Sequence, residues 1–509
     1  METQWKKIGI QPHHGINIAL FSLYSRNSWG IGEFPDLIPL IDWVVEVGFD
    51  LIQLLPLNDT GMDASPYAAL SASALHPIYL GLSTLPYVNT SPLLQEKLHS
   101  LRPACSTSRV EYQKILSAKE VFLNLYFDCF QEQLIQRQEV HAFMNEASYW
   151  LETYVYFKIL KKRFNYTSWE NWPNPISTPL SQEEECAKIR LILTQYLLDL
   201  QLKNVKNHAK EKGILLMGDL PILLQRDSVD VWAYPALFDL TLSAGSPPDP
   251  FDREGQNWGF PIYNWKEMER TGFRWWIERL KTASRYSDLY RIDHIVGFFR
   301  IWAIPHQGTT QEGRFYPENP SVWIDHGTTI LAALTHSSPM LPIGEDLGSV
   351  PPEVKKALHD LGICGTKVMR WERFWDEDEA FIPIDAYPED SLTTVSTHDT
   401  ETLGGWWRDY PLEAKQLALS KGWSYHPILN PSLRQELLWD SHHTSSLFHV
   451  NLLQEYLALI PELSWPDPDL DRINTPGYVS EHNWSYRLRS SLEEFTTNSS
   501  LANAIKEIL

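Results

Sequence analysis

Residues 289–294 read LYRIDH, a short strand-like run that reaches a carboxylate at Asp293. Three similar strand signals, GILLMGD, MLPIGE and SLTTVSTHD, end in a carboxylate at Asp219, Glu345 and Asp399. Short runs rich in apolar or β-branched residues are typical of strands in a parallel sheet. Longer segments with helical periodicity separate them, and this alternation predicts parallel β/α units.

The N-terminal part of the chain shows the same alternation. The apolar runs Ile16–Phe21 and Leu51–Leu57 flank an amphipathic stretch, Phe34–Val47, which predicts a β-α-β start. In a (β/α)₈ barrel, acids at the carboxyl ends of the strands meet at one mouth. A doubly wound parallel sheet is the competing architecture, because it also places function at strand ends. No GxGxxG or GxxxxGK[ST] phosphate loop accompanies the strands, so we favour an α/β fold, a (β/α)₈ TIM barrel with large, mainly helical insertions.

The changes of pattern along the chain predict five segments. Helical periodicity dominates from about Thr84 to Lys212 and again from Pro411 to Leu463. The predicted segments are 1–83, the first part of a catalytic barrel; 84–212, a helical insertion; 213–400, the barrel with an active-site loop at 245–259; 401–470, a second helical insertion; and 471–509, the C-terminal end of the barrel.

Composition excludes several classes of partner. The 509 residues include 43 Lys plus Arg and 64 Asp plus Glu, and the net charge of −21 opposes binding to nucleic acid or to anionic membranes. The first residues lack the apolar region of a secretory signal, and no apolar stretch reaches the length of a membrane span. The four cysteines form no CxxC pair, so we expect neither a zinc cage nor a disulfide framework, and we predict a cytoplasmic protein.

Two of the strand-end acids suit glycosidic cleavage, which needs a pair of carboxyl groups. Arg291 lies two residues before Asp293 and therefore projects to the same side of a strand, where its charge favours an ionised Asp293, as a nucleophile requires. Asp346 and partial burial are expected to raise the pKa of Glu345, as a general acid requires. An ordinary Arg–Asp ion pair and a solvated acid at a helix start are the alternative reading.

Other segments supply candidate sugar-binding groups. The stretch 246–259 is polar and rich in Pro and Gly, which predicts a long loop near the barrel mouth carrying Asp249, Gln256 and Trp258. Such a loop suits a sugar chain, although a structural loop pinned by a buried Trp is equally compatible. Tyr67, in a Ser-Pro-Tyr sequence, is a turn residue or a sugar platform.

The sequence motifs support neither a metal site nor a serine nucleophile. The chain contains no HExxH sequence, no HxH after an early strand and no GxSxG elbow, so we predict no metal site. His398 and Asp399 follow a β-branched run and are placed to meet the hydroxyl groups of a sugar ring. Alone, His398 also fits a core histidine.

Several strings of the chain resemble one known family. SWGIGEF, SPYAALSASALHPIYL, GDLPI, SPPDPF with GQNWG, FRWWIERL, RIDH, GEDLG and STHDTETLGGW are similar to the 4-α-glucanotransferases called amylomaltases or disproportionating enzymes, in the α-amylase clan. The matches run in family order from about residue 15 to residue 490, through DRINTPG and NWSYRL. The spellings at 58–60 and 74–79 are most similar to the branch of the plant cytosolic disproportionating enzyme, here without its starch-binding modules.

The resemblance implies roles for individual residues and no cofactor. Asp293 is implied as the nucleophile, Glu345 as the acid/base and Asp399 as the stabiliser of the transition state. The residues implied to bind glucan are Tyr67, Asp219, Asp249, Gln256, Trp258, Arg291, His294 and His398. Phe260 and the stretch 369–372 depart from the family spelling. These departures concern the preferred donor or acceptor rather than the class of reaction.

The predicted reaction is a retaining double displacement that transfers an α-1,4-glucan segment to the 4-hydroxyl group of an acceptor. Maltose, maltodextrin and glycogen are the expected donors and acceptors, with glucose as a further acceptor. Two rivals remain at this point. An α-1,4-glucan hydrolase would use the same carboxylates, and a noncatalytic glucan-binding protein would use none of them.

Overall fold

The computed structural model describes residues 2–103, 107–173, 179–248, 253–375, 377 and 379–509. Eight parallel strands, numbered β1 to β8 in chain order, form the central sheet: His13–Ile18, Leu51–Leu54, Leu215–Leu220, Leu289–Ile292, Leu341–Gly344, Gly365–Val368, Ser391–Thr394 and Phe448–Leu452. Each strand lies beside its neighbour in the chain, and β8 pairs with β1. A parallel bridge between Ile343 and Cys364 joins β5 to β6, so the sheet closes and the predicted TIM barrel is confirmed.

One barrel strand lies where the sequence predicted helices. The zone from Pro411 to Leu463 includes the helices Pro411–Ser420 and Pro431–His442, but it also contains β8. The strand reads FHVNL, and its polar His449 and Asn451 interrupt the apolar run that identifies a buried strand. All five residues are nevertheless buried, because the two polar side chains find hydrogen-bond partners inside the protein. The barrel is therefore complete before residue 471.

Helices cover the barrel and build the long insertion after β2. Those before β3 are Glu2–Ile8, Leu37–Val47, Pro92–Ser100, Tyr112–Ile135, Gln138–Glu146, Leu151–Arg163 and Gln182–Glu211. Those after β3 are Val229–Ala233, Trp265–Arg270, Arg274–Ala283, Trp323–Ser337, Pro352–Asp360, Leu403–Asp409, Pro411–Ser420, Pro431–His442, Leu453–Leu457, Leu492–Thr496 and Ser499–Lys506. The predicted helical stretch at 34–47 and the predicted helical character of the insertion from about residue 84 to residue 212 are thereby confirmed.

Local sequence explains where these helices begin and end. Helix Gln182–Glu211 begins with a reciprocal capping pair, in which Ser181 bonds the Glu184 amide and Glu184 bonds the Ser181 amide. Helix Leu37–Val47 ends at Gly48, whose left-handed backbone (φ 96°) satisfies the last carbonyls at no steric cost. Both helices pack apolar faces on the main hydrophobic core, which spans the barrel and the insertion.

A second, antiparallel sheet stands beside the barrel. Its strands lie in the order Gln256–Tyr263, Phe238–Ser246, Ile301–Pro305 and Arg314–Tyr316. The prediction that 246–259 is one long loop is therefore wrong in part, because Gln256 and Trp258 belong to a strand. That strand is at the edge of its sheet and pairs irregularly, so it tolerates Pro261 and Gly259.

A cluster of buried and half-buried histidines lies at the opposite end of the barrel from the strand-end acids. His14 on β1 and His449 on β8 stack with ring centroids 4.8 Å apart, and His14 Nδ1 lies 2.8 Å from Nδ1 of His442. His442 Nε2 lies 2.6 Å from the hydroxyl of Tyr456. Burial lowers the pKa of His449 to about 4, and burial also lowers those of His14 and His442. These rings are accordingly neutral in the folded protein near neutral pH.

Two further features bear on the predictions from composition. Within the described part of the chain, no helix combines the length and apolar character needed to cross a membrane. Cys129, Cys186 and Cys364 are free thiols. Cys105 lies outside the described residues.

Candidate active site

Arg291 binds three carboxylates at the carboxyl ends of consecutive strands. Its Nη1 lies 2.9 and 2.8 Å from the two oxygens of Asp219, at the end of β3. The same nitrogen lies 3.2 Å from Oδ1 of Asp293, the residue after β4. Nη2 lies 3.9 Å from Oε2 of Glu345, the residue after β5. One guanidinium group therefore gathers the two acids predicted to be catalytic and a third predicted to bind sugar.

Strand register explains why these side chains meet. Asp219 lies opposite Arg291 in the β3–β4 ladder, and Ile292 lies opposite Gly344 in the β4–β5 ladder. Arg291 and Asp293 are two residues apart and so point to the same side. Glu345 follows Gly344 directly, which puts its side chain at the level of Asp293. The prediction that these acids converge at one mouth agrees with this geometry.

Burial dominates the electrostatics of the two acids after β4 and β5. It raises the pKa of Asp293 above its ordinary value, although Arg291 acts in the opposite direction. Burial likewise raises the pKa of Glu345, and further than that of Asp293, with Asp293 and Asp346 adding to the effect and Arg291 opposing it. The sequence-based expectation was right about the sign of each neighbour, but wrong that Arg291 would determine the pKa of Asp293. Asp293 remains the more readily ionised of the two.

The peptide group after Asp293 holds the Glu345 carboxylate. The backbone amide of His294 donates a 2.7 Å hydrogen bond to Glu345 Oε2, while the amide of Leu347 lies 3.3 Å from Oε1. His294 adopts a left-handed backbone (φ 47°), which is uncommon for a residue other than glycine. Because Oε2 accepts a short bond, Oε1 is the oxygen available to carry a proton.

A loop after β7 presents His398 and Asp399. The His398 side chain is buried, whereas 43% of the Asp399 side chain is exposed to the cleft. Nε2 of His398 lies 3.3 Å from Oδ2 of Asp399, and the Asn474 amide donates to Oδ1 at 2.7 Å. Burial raises the pKa of Asp399, but His398 and Asn474 outweigh burial and lower the pKa below its ordinary value. Asp399 is thus an anion facing the same mouth.

Aromatic rings wall the cleft beside these acids. The Tyr67 hydroxyl donates to Asp219 Oδ2 at 2.7 Å, and its ring stacks on His398 with centroids 5.1 Å apart. Trp484 packs against both rings, 5.5 Å from Tyr67 and 5.8 Å from His398. Tyr67 is therefore a wall of the cleft rather than a simple turn residue.

Sequence reasoning missed Asn474 and Trp484 as members of the site. They lie in the strings DRINTPG and NWSYRL, which the chain shares with the family it resembles but to which no role was given. Trp484 has a left-handed backbone (φ 60°), and its amide donates to the Ile473 carbonyl at 2.8 Å. This bond brings the two stretches of the C-terminal segment together over the mouth of the barrel.

The antiparallel sheet contributes the remaining predicted residues. Trp258 Nε1 donates to Gln256 Oε1 at 3.0 Å, and the Trp258 ring meets the His294 ring edge-on, with centroids 5.0 Å apart. Burial lowers the pKa of His294 to about 4, so this ring is neutral. Asp249 lies outside the described residues.

A groove extends from Trp258 away from the acids. Its volume is about 400 Å³, and its walls come from the loop after β2, the loop after β3 and the edge strand. The lining residues include Asp63, Gln225, Arg226, Trp258 and Phe260. Phe260, one of the departures from the family spelling, thus lines the groove.

The second departure from the family spelling, at 369–372, forms a turn beside the site. Residues Met369–Trp371 make a short 3-10 helix after β6. Arg370 donates to Glu401 Oε2 at 2.9 Å, and Arg472 donates to Glu401 Oε1 at 2.9 Å. Arg370 thereby ties this turn to the segment that carries Asn474. Among the residues that the structure describes, no group of three or more His, Cys, Asp or Glu side chains is arranged to hold a metal ion.

Comparisons of the sequence and of the structure with known proteins indicate one family. A family model described as 4-alpha-glucanotransferase matches residues 18–493. The 4-alpha-glucanotransferase of Chlamydia pneumoniae is 43% identical over 99% of this chain and 97% of its own length. The 4-alpha-glucanotransferase DPE2 of Oryza sativa subsp. japonica is 36% identical over 62% of this chain and 34% of the rice protein. The amylomaltase from Streptococcus agalactiae, solved in complex with acarbose, superposes with a TM-score of 0.83 at 25% identity over 98% of each chain.

Proposed function

The chain belongs to the 4-alpha-glucanotransferase family, and on this premise we propose that Asp293 is the nucleophile and Glu345 the acid/base of glucan transfer. The enzyme is a 4-alpha-glucanotransferase of the amylomaltase type. The observation that supports these two roles is the shared Arg291, which lies within 3.9 Å of both carboxylates. Their different protonation tendencies match the two tasks, because the acid that ionises first attacks and the other donates a proton.

In the first step, Asp293 attacks the anomeric carbon of an α-1,4-glucan and forms an ester bond to it. The bond to the glycosidic oxygen breaks, and Glu345 protonates that oxygen through Oε1, since Oε2 accepts from the His294 amide. Asp399 stabilises the positive charge that develops on the sugar ring. Its low pKa keeps it anionic during this step.

In the second step, the 4-hydroxyl group of an acceptor approaches the same carbon. Glu345, now a carboxylate, takes the hydroxyl proton as the new glycosidic bond forms and Asp293 leaves. Two inversions give net retention. No step draws on a cofactor.

The walls of the cleft fit a glucan. Tyr67, Trp484 and Trp258 offer ring faces and edges for the C–H surfaces of glucose units, and Asp219, Gln256, His294 and His398 offer hydrogen-bonding groups. We propose maltose, maltodextrin and glycogen as donors and acceptors, with glucose as a further acceptor. The groove next to Trp258 is large enough for sugar units beyond the reacting one. Asp249 remains a proposed contact on the basis of the family resemblance.

We also propose that the enzyme acts in the cytoplasm. Free thiols at Cys129, Cys186 and Cys364 agree with a reducing compartment, as does the scattered placement of the cysteines along the chain.

The test is incubation of the purified protein with maltotriose, followed by chromatography of the products and a count of reducing ends. Transfer gives glucose together with oligomers longer than maltotriose, while the number of reducing ends stays constant. A product mixture of glucose and maltose alone, with reducing ends rising over time, would identify a hydrolase instead. A protein that binds maltotriose without converting it would be the noncatalytic alternative.

A further inference from the structure

The loop that presents His398 and Asp399 is attached at both ends to one buried carboxylate. Ser396 Oγ donates to Glu455 Oε1 at 2.6 Å, and the backbone amide of Leu403 donates to the same oxygen at 2.8 Å. Ser396 precedes the two site residues and Leu403 follows them. Glu455 itself lies on the short helix Leu453–Leu457, directly after β8, and is fully buried.

The charge of Glu455 is balanced from the second helical insertion. Arg434, on helix Pro431–His442, donates to Glu455 Oε2 at 2.8 Å, and only 10% of its side chain is exposed. An ionised carboxylate in the protein interior is expensive unless it is paired and hydrogen-bonded. Glu455 meets this requirement with three donors, so both of its oxygens are in use.

A weaker link supports the start of the same loop. The Val395 amide donates to Asn451 Oδ1 at 2.8 Å, and Asn451 belongs to β8. Inside the loop, the Thr397 amide bonds Thr400 Oγ1 at 3.0 Å. The start of the loop is thus hydrogen-bonded to β8 and to the helix that follows it, and the end of the loop is hydrogen-bonded to the same helix. Loops are in general more mobile than the strands and helices they connect, and these hydrogen bonds restrain this loop at both ends.

We propose that Glu455 is a positioning residue for the transfer reaction. It holds the loop in the position and orientation at which Asp399 faces the sugar ring. Glu455 touches neither His398 nor Asp399 and acts through Ser396 and Leu403. The inference rests on the proposed function, because it assigns Glu455 a role only if Asp399 serves the transition state. Arg434 gives the second helical insertion a part in the same arrangement.

Asp399 depends on accurate placement. Its partners His398 Nε2 and Asn474 Nδ2 lie at 3.3 and 2.7 Å, and they come from different segments of the chain. A shift of the loop by about 1 Å is enough to weaken both contacts, and misplacement on that scale costs enzymes about a hundredfold in rate. Loss of the two contacts would also return the pKa of Asp399 toward its ordinary value.

The experiment compares two buried glutamates, each paired to a cation. Glu455→Gln removes the charge that balances Arg434 and weakens the attachment of the loop. Glu33→Gln is the matched control, because Glu33 is equally buried and bonds Lys119 at 2.6 Å but contacts no residue of the site. For both variants the measurements are Tm, and kcat and KM for maltotriose disproportionation.

We expect Glu455→Gln to lower kcat by about tenfold or more, with KM changed by less than about twofold, because the transition state loses more than substrate binding does. Glu33→Gln should lower Tm to a similar extent, yet leave kcat at the wild-type value. Equal losses of kcat in the two variants, or a loss in Glu455→Gln that appears in KM rather than in kcat, would overturn the proposal.

A milder variant decides the matter if Glu455→Gln does not fold. Ser396→Ala removes one attachment and leaves the Glu455–Arg434 pair intact, and we expect kcat to fall by about threefold to tenfold with Tm nearly unchanged. A wild-type kcat in this variant would also overturn the proposal. Failure of the proposed function would look different, since the wild-type protein itself would then form no longer oligomers from maltotriose.

Discussion

The His294 backbone amide donates a 2.7 Å hydrogen bond to Glu345 Oε2, so the residue that follows one proposed catalytic acid holds the other. The donor belongs to the main chain, and a side-chain substitution at His294 leaves it in place. The backbone of His294 is left-handed (φ 47°), and its amide reaches the acid that follows the neighbouring strand β5. Relative placement of the two acids therefore depends on the geometry of one turn rather than on flexible side chains.

Replacement of the proposed nucleophile is the first prediction. Asp293→Asn should lower the rate of maltotriose disproportionation by several orders of magnitude, because an amide does not form the glycosyl ester. Chromatography of the products measures the rate. Asp360→Asn, which breaks an exposed ion pair with Lys356 on a surface helix, serves as the control and should retain full activity. Near-normal transfer by Asp293→Asn would refute the covalent mechanism.

A donor with a good leaving group separates the two roles of Glu345. Glu345→Gln should be almost inactive on maltotriose, whose departing oxygen needs a proton. With an α-maltosyl fluoride donor, which needs none, the first step should recover and the ester at Asp293 should accumulate. Intact-protein mass spectrometry would detect the added mass. The assignment fails if Glu345→Gln is as slow with the fluoride as with the sugar.

Trp258 provides a test of the sugar wall. Trp258→Ala should raise KM for maltotriose by about fivefold, since stacking of one ring is worth about 1 kcal/mol. Trp258→Phe keeps a ring and should lose much less. Initial rates across a range of maltotriose concentrations give both constants. Equal behaviour of the two variants would mean that the ring itself is not used.

Phe260 tests whether the adjoining groove holds distant sugar units. Phe260→Asn should reduce kcat/KM for maltoheptaose by about fivefold and leave that for maltotriose nearly unchanged, because only the longer chain reaches the groove. A series of maltooligosaccharides from three to seven units would show where the effect begins. A uniform reduction across the series would place Phe260 in contact with the reacting units instead.

The buried histidines predict a pH-dependent stability. The pKa of His449 falls from an ordinary value of 6.5 to about 4 on folding, so below about pH 6.5 the unfolded chain binds a proton that the folded chain excludes. The free energy of unfolding should therefore be fully present above about pH 6.5 and fall by about 3 kcal/mol as the pH drops to about 4. Urea unfolding at a series of pH values measures this slope.

His449→Gln should flatten that slope, although His14 and His442 continue to contribute. His141→Gln is the control, because His141 lies on an exposed helix surface and should leave the slope unchanged. The comparison concerns the change of stability with pH, so a lower stability of His449→Gln at every pH does not obscure it. Identical slopes in the wild type and in His449→Gln would contradict the argument.

The sequence predicted the barrel because parallel strands buried on both faces read as nearly continuous apolar runs, as at Leu341–Gly344. The strand Phe448–Leu452 was not predicted, because two of its residues are polar. Their hydrogen-bond partners lie outside the strand, and a local sequence pattern does not reveal them. The prediction of a loop around Trp258 was wrong for a related reason. An irregular edge strand carries the same Gly and Pro residues as a loop.

Within the site, the strand-end acids were predictable because strand register alone brings them together. Asn474 and Trp484 were not, since they reach the mouth through a C-terminal segment without regular structure. The pKa of Asp293 could not be predicted from the sequence either. The spacing to Arg291 is visible in the sequence, but the extent of burial, which raises this pKa, depends on the whole fold.

The pairing of β8 with β1 has a consequence for biosynthesis. His13 lies opposite Phe448, so the seam of the barrel joins the two ends of the polypeptide, and the ribosome must deliver nearly all of the chain before the seam can form. Until then β1 exposes an unpaired edge. A nascent chain that stalls before residue 448 would lack both the hydrogen bonds that hold the loop of His398 and the strand that covers the free edge of β1, which makes it a natural client for chaperones.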